Sequence, residues 1–88
     1  MSETPIKSTD DVYRFVDRLR QECLKGRAEG LSDELDAALH LGSSGLEILG
    51  AVRQVLVRNG DTIQRLLGPT GQTESKEIIA FVDRAFGR

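Results

Sequence analysis

Apolar residues recur three and four positions apart along most of the chain, and this spacing predicts amphipathic α-helices. The first such stripe consists of Val12, Phe15, Val16, Leu19 and Cys23. Later segments repeat the spacing, and glycine, proline or asparagine residues separate them. No segment alternates apolar and polar residues over a useful length, so no β-strand is expected. The pattern therefore predicts an all-α protein.

The first helix is delimited by a capping residue and a glycine. Residues 1–7 are predicted to form a loose lead-in, after which Ser8 or Thr9 can cap the helix. Gly26 or Gly30 is predicted to end it, because glycine commonly follows the last helical turn. Carboxylates directly after the cap complement the helix dipole, which supports this placement.

The middle of the chain predicts two further helices. The second is short and runs from Ser32, its cap, to Gly42, its end. The third begins at Ser44, and Ser44 and Glu47 have the spacing of a capping box, in which each side chain satisfies a backbone N–H near the other. The apolar arc of the third helix is wide, so we expect this helix at the centre, with neighbours on more than one side.

The last third of the chain predicts one short and one long helix. Asp61 can cap a two-turn helix that reaches Leu67. The sequence Gly-Pro-Thr-Gly at 68–71 predicts a loop, because glycine and proline interrupt helices. Thr73 is then predicted to cap the last helix.

These elements predict a single domain over residues 1–88, folded as a small bundle of four main helices plus one short helix. The first and last helices are expected to pack against the third. The predicted core consists of Val12, Phe15, Val16, Leu19, Leu35, Leu39, Ile48, Leu49, Val52, Val55, Leu56, Ile63, Leu66, Ile78, Phe81 and Val82.

The composition is typical of a globular chain. Apolar residues make up 39% of the 88 residues and charged residues 30%, and the net charge is −2. The cations are scattered among a larger number of anions, so nucleic acid is not expected as a partner. No apolar run approaches the roughly 20 residues that span a bilayer, and no secretory signal is evident, so no membrane contact is expected. A single cysteine cannot form an internal disulfide, which favours a cytoplasmic location.

Few residues are candidates for catalysis. Cys23 lies on the first apolar stripe, where a buried small side chain is favoured over a reactive thiolate. His40, the only histidine, lies near the end of the second helix without an evident nucleophile to serve. One histidine and one cysteine are too few ligands for a structural zinc site. We therefore expect no catalytic residue, no metal site and no cofactor, and do not expect an enzyme.

The segment from Leu41 to Leu46, Leu-Gly-Ser-Ser-Gly-Leu, resembles the Leu-Gly-x-Asp-Ser-Leu site of acyl and peptidyl carrier proteins. The order of predicted elements and the style of the last helix are also similar. The resemblance implies a carrier with phosphopantetheine on a serine at the start of a long helix. That serine aligns with Gly45 and the preceding aspartate with Ser44, so Ser44 is the attachment point only after a one-residue slip. The segment before the motif also has a helical pattern, where carriers have a long loop.

Two further patterns bear on function. Residues 42–49 resemble a Gly-Ser-Ser/Thr-Gly-x-Glu-Ile-Leu helix start of small uncharacterised bacterial proteins, which implies a bacterial source and no known chemistry. Leu31–Leu41 and Ser44–Arg58 form a candidate helix-turn-helix for DNA binding. Glu47 near the start of the second of these helices would repel phosphates, which makes DNA binding the weaker alternative.

The function predicted from these observations is a non-enzymatic protein–protein interaction module. The third and last helices carry more apolar residues than one thin bundle needs. We expect these residues to form a surface for an unknown protein partner or for a second copy of the chain in a homodimer. The predicted partner surface consists of Leu46, Val57, Ile79 and Phe86.

Overall fold

Four helices account for the regular structure of the described part of the chain. The computed structural model describes Ile6, residues 8–41 and residues 44–87, and no strand occurs among them. The remainder of the predicted lead-in and the predicted helix end at Gly42 lie outside these residues. The helices are α1 (Thr9–Lys25), α2 (Glu29–Leu39), α3 (Gly45–Arg58) and α4 (Gly60–Ala85). The predicted all-α class is confirmed.

Ser8 caps the start of α1 and Gly26 follows its last turn, one of the two predicted alternatives at each end. The hydroxyl oxygen of Ser8 accepts a hydrogen bond from the backbone N–H of Asp11 at 3.4 Å. Gly26 follows the last turn and donates its N–H to the carbonyl of Glu22 at 2.9 Å. Polar groups at both ends of the helix are therefore satisfied locally.

α2 begins one turn earlier than predicted, so Ser32 and Gly30 lie inside it and neither caps nor ends a helix. Its N-cap position is Ala28, which makes no side-chain capping bond. The reason is Leu31, which is buried and was missing from the predicted core. Burying a leucine contributes about 1.5–3 kcal/mol, whereas a cap contributes about 1 kcal/mol. Tertiary burial therefore decides where α2 starts.

α3 and α4 are joined by a single residue. Ser44 caps α3 as predicted, with its hydroxyl oxygen 3.2 Å from the backbone nitrogen of Glu47. Asn59 follows α3 and precedes α4, and its side-chain amide donates to the carbonyl of Val55 at 2.8 Å. The predicted cap Asp61 instead lies in the first turn of α4.

A kink at one residue within α4 replaces the loop predicted at 68–71. Only Gly68 leaves helical geometry, with φ of 74° and ψ of −172°, a conformation accessible essentially to glycine. Pro69 begins the second helical segment, where its missing N–H costs nothing. Thr73 therefore lies inside the helix and does not cap it. The predicted short helix corresponds to the first segment of α4, which the kink separates from the second.

The helices form a ring of neighbours. α1 makes its main backbone contacts with α2 and α4, and α3 makes its own with the same two helices. The last helix does pack against α3, as predicted. The prediction that the first helix also packs against a central α3 is wrong, because α2 and α4 are the main neighbours of α1.

The core lies between the four helices and contains most of the predicted residues. The exceptions are Leu39, Ile48, Leu66 and Phe81, which are partly buried and pack against it. The buried apolar residues are Val12, Phe15, Val16, Leu19, Cys23, Leu31, Leu35, Ala38, Leu49, Val52, Val55, Leu56, Ile63, Ile78 and Val82.

Candidate interaction surface

The two candidate catalytic groups lie in different environments. Cys23 is fully buried, whereas the side chain of His40 is exposed at the end of α2. Burial raises the pKa of the Cys23 thiol, and the positive charge of Arg65 partly opposes this effect. Nδ1 of His40 lies 2.8 Å from the backbone carbonyl oxygen of Asp36. A buried thiol and an exposed imidazole do not form a nucleophile and its base.

The potential metal ligands are also dispersed. Among the residues that the structure describes, no group of three or more histidine, cysteine, aspartate and glutamate side chains could hold a metal ion. The carboxylates instead lie mostly in first turns or in ion pairs between helices. Their positions are those expected of groups that support helices and their packing.

The carrier-like motif spans the connection from α2 to α3. Ser44 is exposed and holds the N-terminus of α3, and Gly45 is the first helical residue. Gly42 and Ser43 lie outside the described residues. A regular helix, α2, precedes the motif where carrier proteins have a long loop. The structure therefore places Ser44 where a hydroxyl is accessible, on a surrounding architecture that differs from the family.

Ion pairs hold the arginines of α3 against both neighbouring helices. Nε of Arg53 lies 2.7 Å from Oδ1 of Asp83 on α4. Nη2 of Arg58 lies 2.7 Å from Oε1 of Glu34 on α2, and the side-chain amide of Asn59 donates to the same oxygen at 3.3 Å. The hydrogen bond from Arg58 is the main cause that lowers the pKa of the Glu34 carboxyl.

Two contacts set the register between α3 and α4. A methyl group added at Gly50 would lie 3.3 Å from Cζ of Phe86, so the phenyl ring lies beside this glycine. Arg53, three residues after Gly50, pairs with Asp83, three residues before Phe86. Residue numbers therefore rise along α3 as they fall along the neighbouring stretch of α4, which is the register of antiparallel helices.

The predicted partner surface lies along the seam between α3 and α4, the line where these two helices pack against each other. One turn beyond the Arg53–Asp83 pair, the same register places Val57 level with Ile79. Leu46 lies one turn before Gly50 on α3, at the end of the seam that carries Phe86. The exposed fractions of Leu46, Val57 and Phe86 are 49%, 53% and 44%, and Ile79 is partly buried against the core. We call this surface the α3–α4 face. It consists of Leu46, Gly50, Arg53, Val57, Ile79, Asp83 and Phe86.

Two more exposed leucines lie outside the α3–α4 face. The exposed fractions of Leu24, on α1, and Leu41, after α2, are 68% and 67%. Leu41 borders a groove of about 270 Å³ between α2 and α3, which is otherwise lined mostly by small side chains and by the Glu34–Arg58 pair. Leu24 is not among the residues that line this groove.

A second groove was not predicted. It measures about 430 Å³ and lies where Tyr13, Asp17 and Arg20 of α1 face Leu39 and Ile48. The pattern of one helix at a time gives no signal for it, because its walls come from three helices. Two of its polar side chains have partners outside the groove, since Asp17 accepts a hydrogen bond from Gln21 on the same helix and Arg20 pairs with Asp36 on α2.

Comparison with protein-family models, with curated proteins and with solved structures found no match for this chain. Among the described residues, the structure defines an all-helical protein in which α3 and α4 carry exposed apolar side chains beside an ion pair. None of the described helices combines the length and the apolar content that crossing a bilayer requires.

Proposed function

We propose that this protein is a non-enzymatic interaction module that binds a protein partner through the α3–α4 face. The observation that carries the proposal is the alignment of Leu46, Val57, Ile79 and Phe86 along one seam. Three of these side chains expose about half of their surface, although a separate set of apolar residues forms the core. Covering apolar surface gains roughly 25 cal/mol per Å², and clustered exposed apolar residues are typical of interaction sites. The proposed setting is the cytoplasm of a bacterium.

The centre of the α3–α4 face is polar but neutral. The side chains of Arg53 and Asp83 are 27% and 30% exposed, and their charges compensate each other. A partner that covers this pair would therefore not bury an isolated charge, which would be costly. The polar centre would fix the orientation of the partner, while the apolar ends supply most of the affinity.

The geometry supports this role better than the two alternatives. A carrier would need an attachment serine at the start of α3, but the matching position is Gly45, and α2 occupies the place of the carrier loop. DNA binding through α3 would need free cations, but Arg53 and Arg58 are paired with carboxylates.

A pull-down with matched variants tests the proposal. The face variant combines Leu46→Glu with Val57→Lys, so that each new charge complements the dipole at its end of α3. The control variant combines Leu24→Lys with Leu41→Glu, which also places one charge of each sign on exposed leucines. Wild-type and control baits should retain the same protein from native cell extract, and the face variant should lose it.

Quantitative mass spectrometry of the three eluates reads out the result, with circular dichroism confirming that all three chains remain helical. Equal retention of a protein by the wild type and the face variant would contradict the assignment of the face. Eluates that match empty beads for every bait would contradict stable binding of a different protein.

A further inference from the structure

We propose that the partner of the α3–α4 face is a second copy of this chain, an inference that rests on the proposed function. Two copies pack face to face around a two-fold axis that runs parallel to α3 and α4. In this arrangement, α3 of one copy lies on α4 of the other. The same surface serves both copies, as two-fold symmetry requires.

The antiparallel register within one chain makes the face self-complementary. Rotation about an axis parallel to the helices leaves the position of each residue along that axis unchanged. Residues of α3 and α4 that lie side by side within one copy therefore also face each other between the two copies. Val57 of one copy therefore meets Ile79 of the second copy. Phe86 of one copy meets Gly50 of the second copy, and Leu46 lies one turn beyond this contact. Apolar side chains therefore lie at both ends of the interface.

The charges at the centre also match in this arrangement. Arg53 of one copy meets Asp83 of the second copy, so each member of the existing ion pair gains a second partner. A two-fold axis across the helices would instead place Arg53 on Arg53 and Asp83 on Asp83. Like charges facing each other across an interface oppose association, so the charge pattern selects the axis along the helices.

The size of the face sets the strength of the dimer. α3 has 14 residues and is therefore about 21 Å long at 1.5 Å per residue. Two neighbouring helices with their side chains are about 20 Å wide, which gives a projected face of roughly 400 Å² per copy. Two such faces cover roughly 800 Å² in total, less than the roughly 1,200 Å² at which standard specific interfaces begin. An interface of this size is typical of weak association, so we expect the dimer to dissociate on dilution.

Sedimentation equilibrium tests self-association directly. From micromolar to near-millimolar concentration, the average mass of the wild type should rise from the monomer value of 9.7 kDa towards twice that value. The control variant, Leu24→Lys with Leu41→Glu, should follow the wild type. The face variant, Leu46→Glu with Val57→Lys, should remain a monomer throughout the range.

Disulfide trapping tests the direction of the two-fold axis. A Val57→Cys chain mixed with an Ile79→Cys chain should form a mixed disulfide dimer more readily than a Leu46→Cys chain mixed with a Val57→Cys chain. The axis along the helices brings positions 57 and 79 together, whereas an axis across them brings 46 and 57 together. Cys23 is buried and does not take part.

Each result has a distinct meaning. A wild-type chain that remains monomeric at every concentration overturns the dimer, and the interaction module then stands only if the pull-down shows loss of a different protein by the face variant. Dimerisation of the face variant at wild-type strength overturns the choice of face. Preferential trapping of positions 46 and 57 overturns the axis along the helices.

Discussion

At the scale of single residues, burial and hydrogen bonding decide which groups react or titrate. The thiol of Cys23 is enclosed by the core, which raises its pKa and keeps it protonated. A protonated, inaccessible thiol is a poor nucleophile, so Cys23 behaves as a small apolar side chain. Glu34 shows the opposite effect, because a hydrogen bond from Arg58 stabilises its charged form and lowers its pKa.

The Glu34–Arg58 pair predicts a pH-dependent contribution to stability. The folded pKa of Glu34 lies below its ordinary value of 4.5, so the contribution is complete above that pH and is lost as the pH falls through the lowered folded pKa. The pair is solvent-exposed, so Glu34→Gln should cost only about 0.5 kcal/mol near neutral pH. Urea unfolding of both proteins across the acid range measures the difference.

A double-mutant cycle isolates this interaction. Glu34→Gln, Arg58→Gln and the double variant should show a coupling free energy near neutral pH that vanishes once the carboxyl is protonated. A coupling that stays constant from neutral pH down into the acid range would show that charge on Glu34 does not contribute.

At the scale of elements, local signals set some helix ends and tertiary packing sets others. The hydroxyl of Ser44 holds the start of α3 through the N–H of Glu47, and the sequence alone predicts this. α2 starts at a position without a side-chain cap, because this extends the helix to include the buried Leu31. The kink of α4 combines both causes, since Gly68 permits the turn and the packing of the two segments fixes its angle.

The kink makes Gly71 sensitive to substitution. A Cβ atom added at Gly71 would overlap the Cβ atom of Leu67 and approach its Cδ1 to 2.9 Å. Because Leu67 packs against the core and cannot simply move away, Gly71→Ala should destabilise the protein by about 1–3 kcal/mol. Thermal or urea unfolding measures the change.

Gly30 provides the matched control for this substitution. It lies within α2, and an added Cβ atom would meet no atom within 4 Å. Alanine is the better helix former, so Gly30→Ala should stabilise the protein by about 0.4–1 kcal/mol. Two variants that change stability in the same direction would refute the packing argument for Gly71.

At the scale of the whole molecule, an arginine–carboxylate pair bridges each of the neighbouring helix contacts between the described residues. Each pair is at least partly exposed to solvent and contributes only modestly by itself. Together they favour one order of helices around the ring, because another order would separate the charges. The pairs are Arg20–Asp36 between α1 and α2, Arg58–Glu34 between α2 and α3, Arg53–Asp83 between α3 and α4, and Arg18–Glu74 between α1 and α4.

This arrangement predicts a modest salt dependence. Raising sodium chloride from low to molar concentration should lower the free energy of unfolding by about 1–2 kcal/mol in total, because exposed pairs are screened. A variant with Arg18, Arg20 and Arg58 changed to glutamine should show a smaller decrease. Equal salt dependence in both proteins would assign the effect to charges outside these pairs.

Much of the fold was predictable because the signals are local. Helical periodicity identified the helices, and serine or glycine marked the ends of α1 and the start of α3. The predicted interruption at 68–71 was right in place but too long, and the predicted cap at Thr73 was wrong, because only Gly68 leaves helical geometry and Pro69 already begins the next helical segment. Leu31 was missing from the predicted core because it lies in the additional first turn of α2, and no capping residue in the sequence indicates that the helix begins there.

The candidate surface was predictable only in part. Leu46, Val57, Ile79 and Phe86 could be recognised as surplus, since they fall off the main stripes of their helices. That they form one seam depends on the register of α3 against α4, which the contact of Gly50 with Phe86 and the Arg53–Asp83 pair reveal. The ion pair at its centre joins residues 30 positions apart, and no local pattern links them.

The sequence by itself determined that this chain is helical, where most helices lie and which side of each turns inward. These properties follow from a period of 3.6 residues and from short-range hydrogen bonds at helix ends. The tertiary structure alone decided which helices are neighbours, in what register they pack and which charges meet. Those choices depend on side chains far apart in the chain that come together only when the core forms.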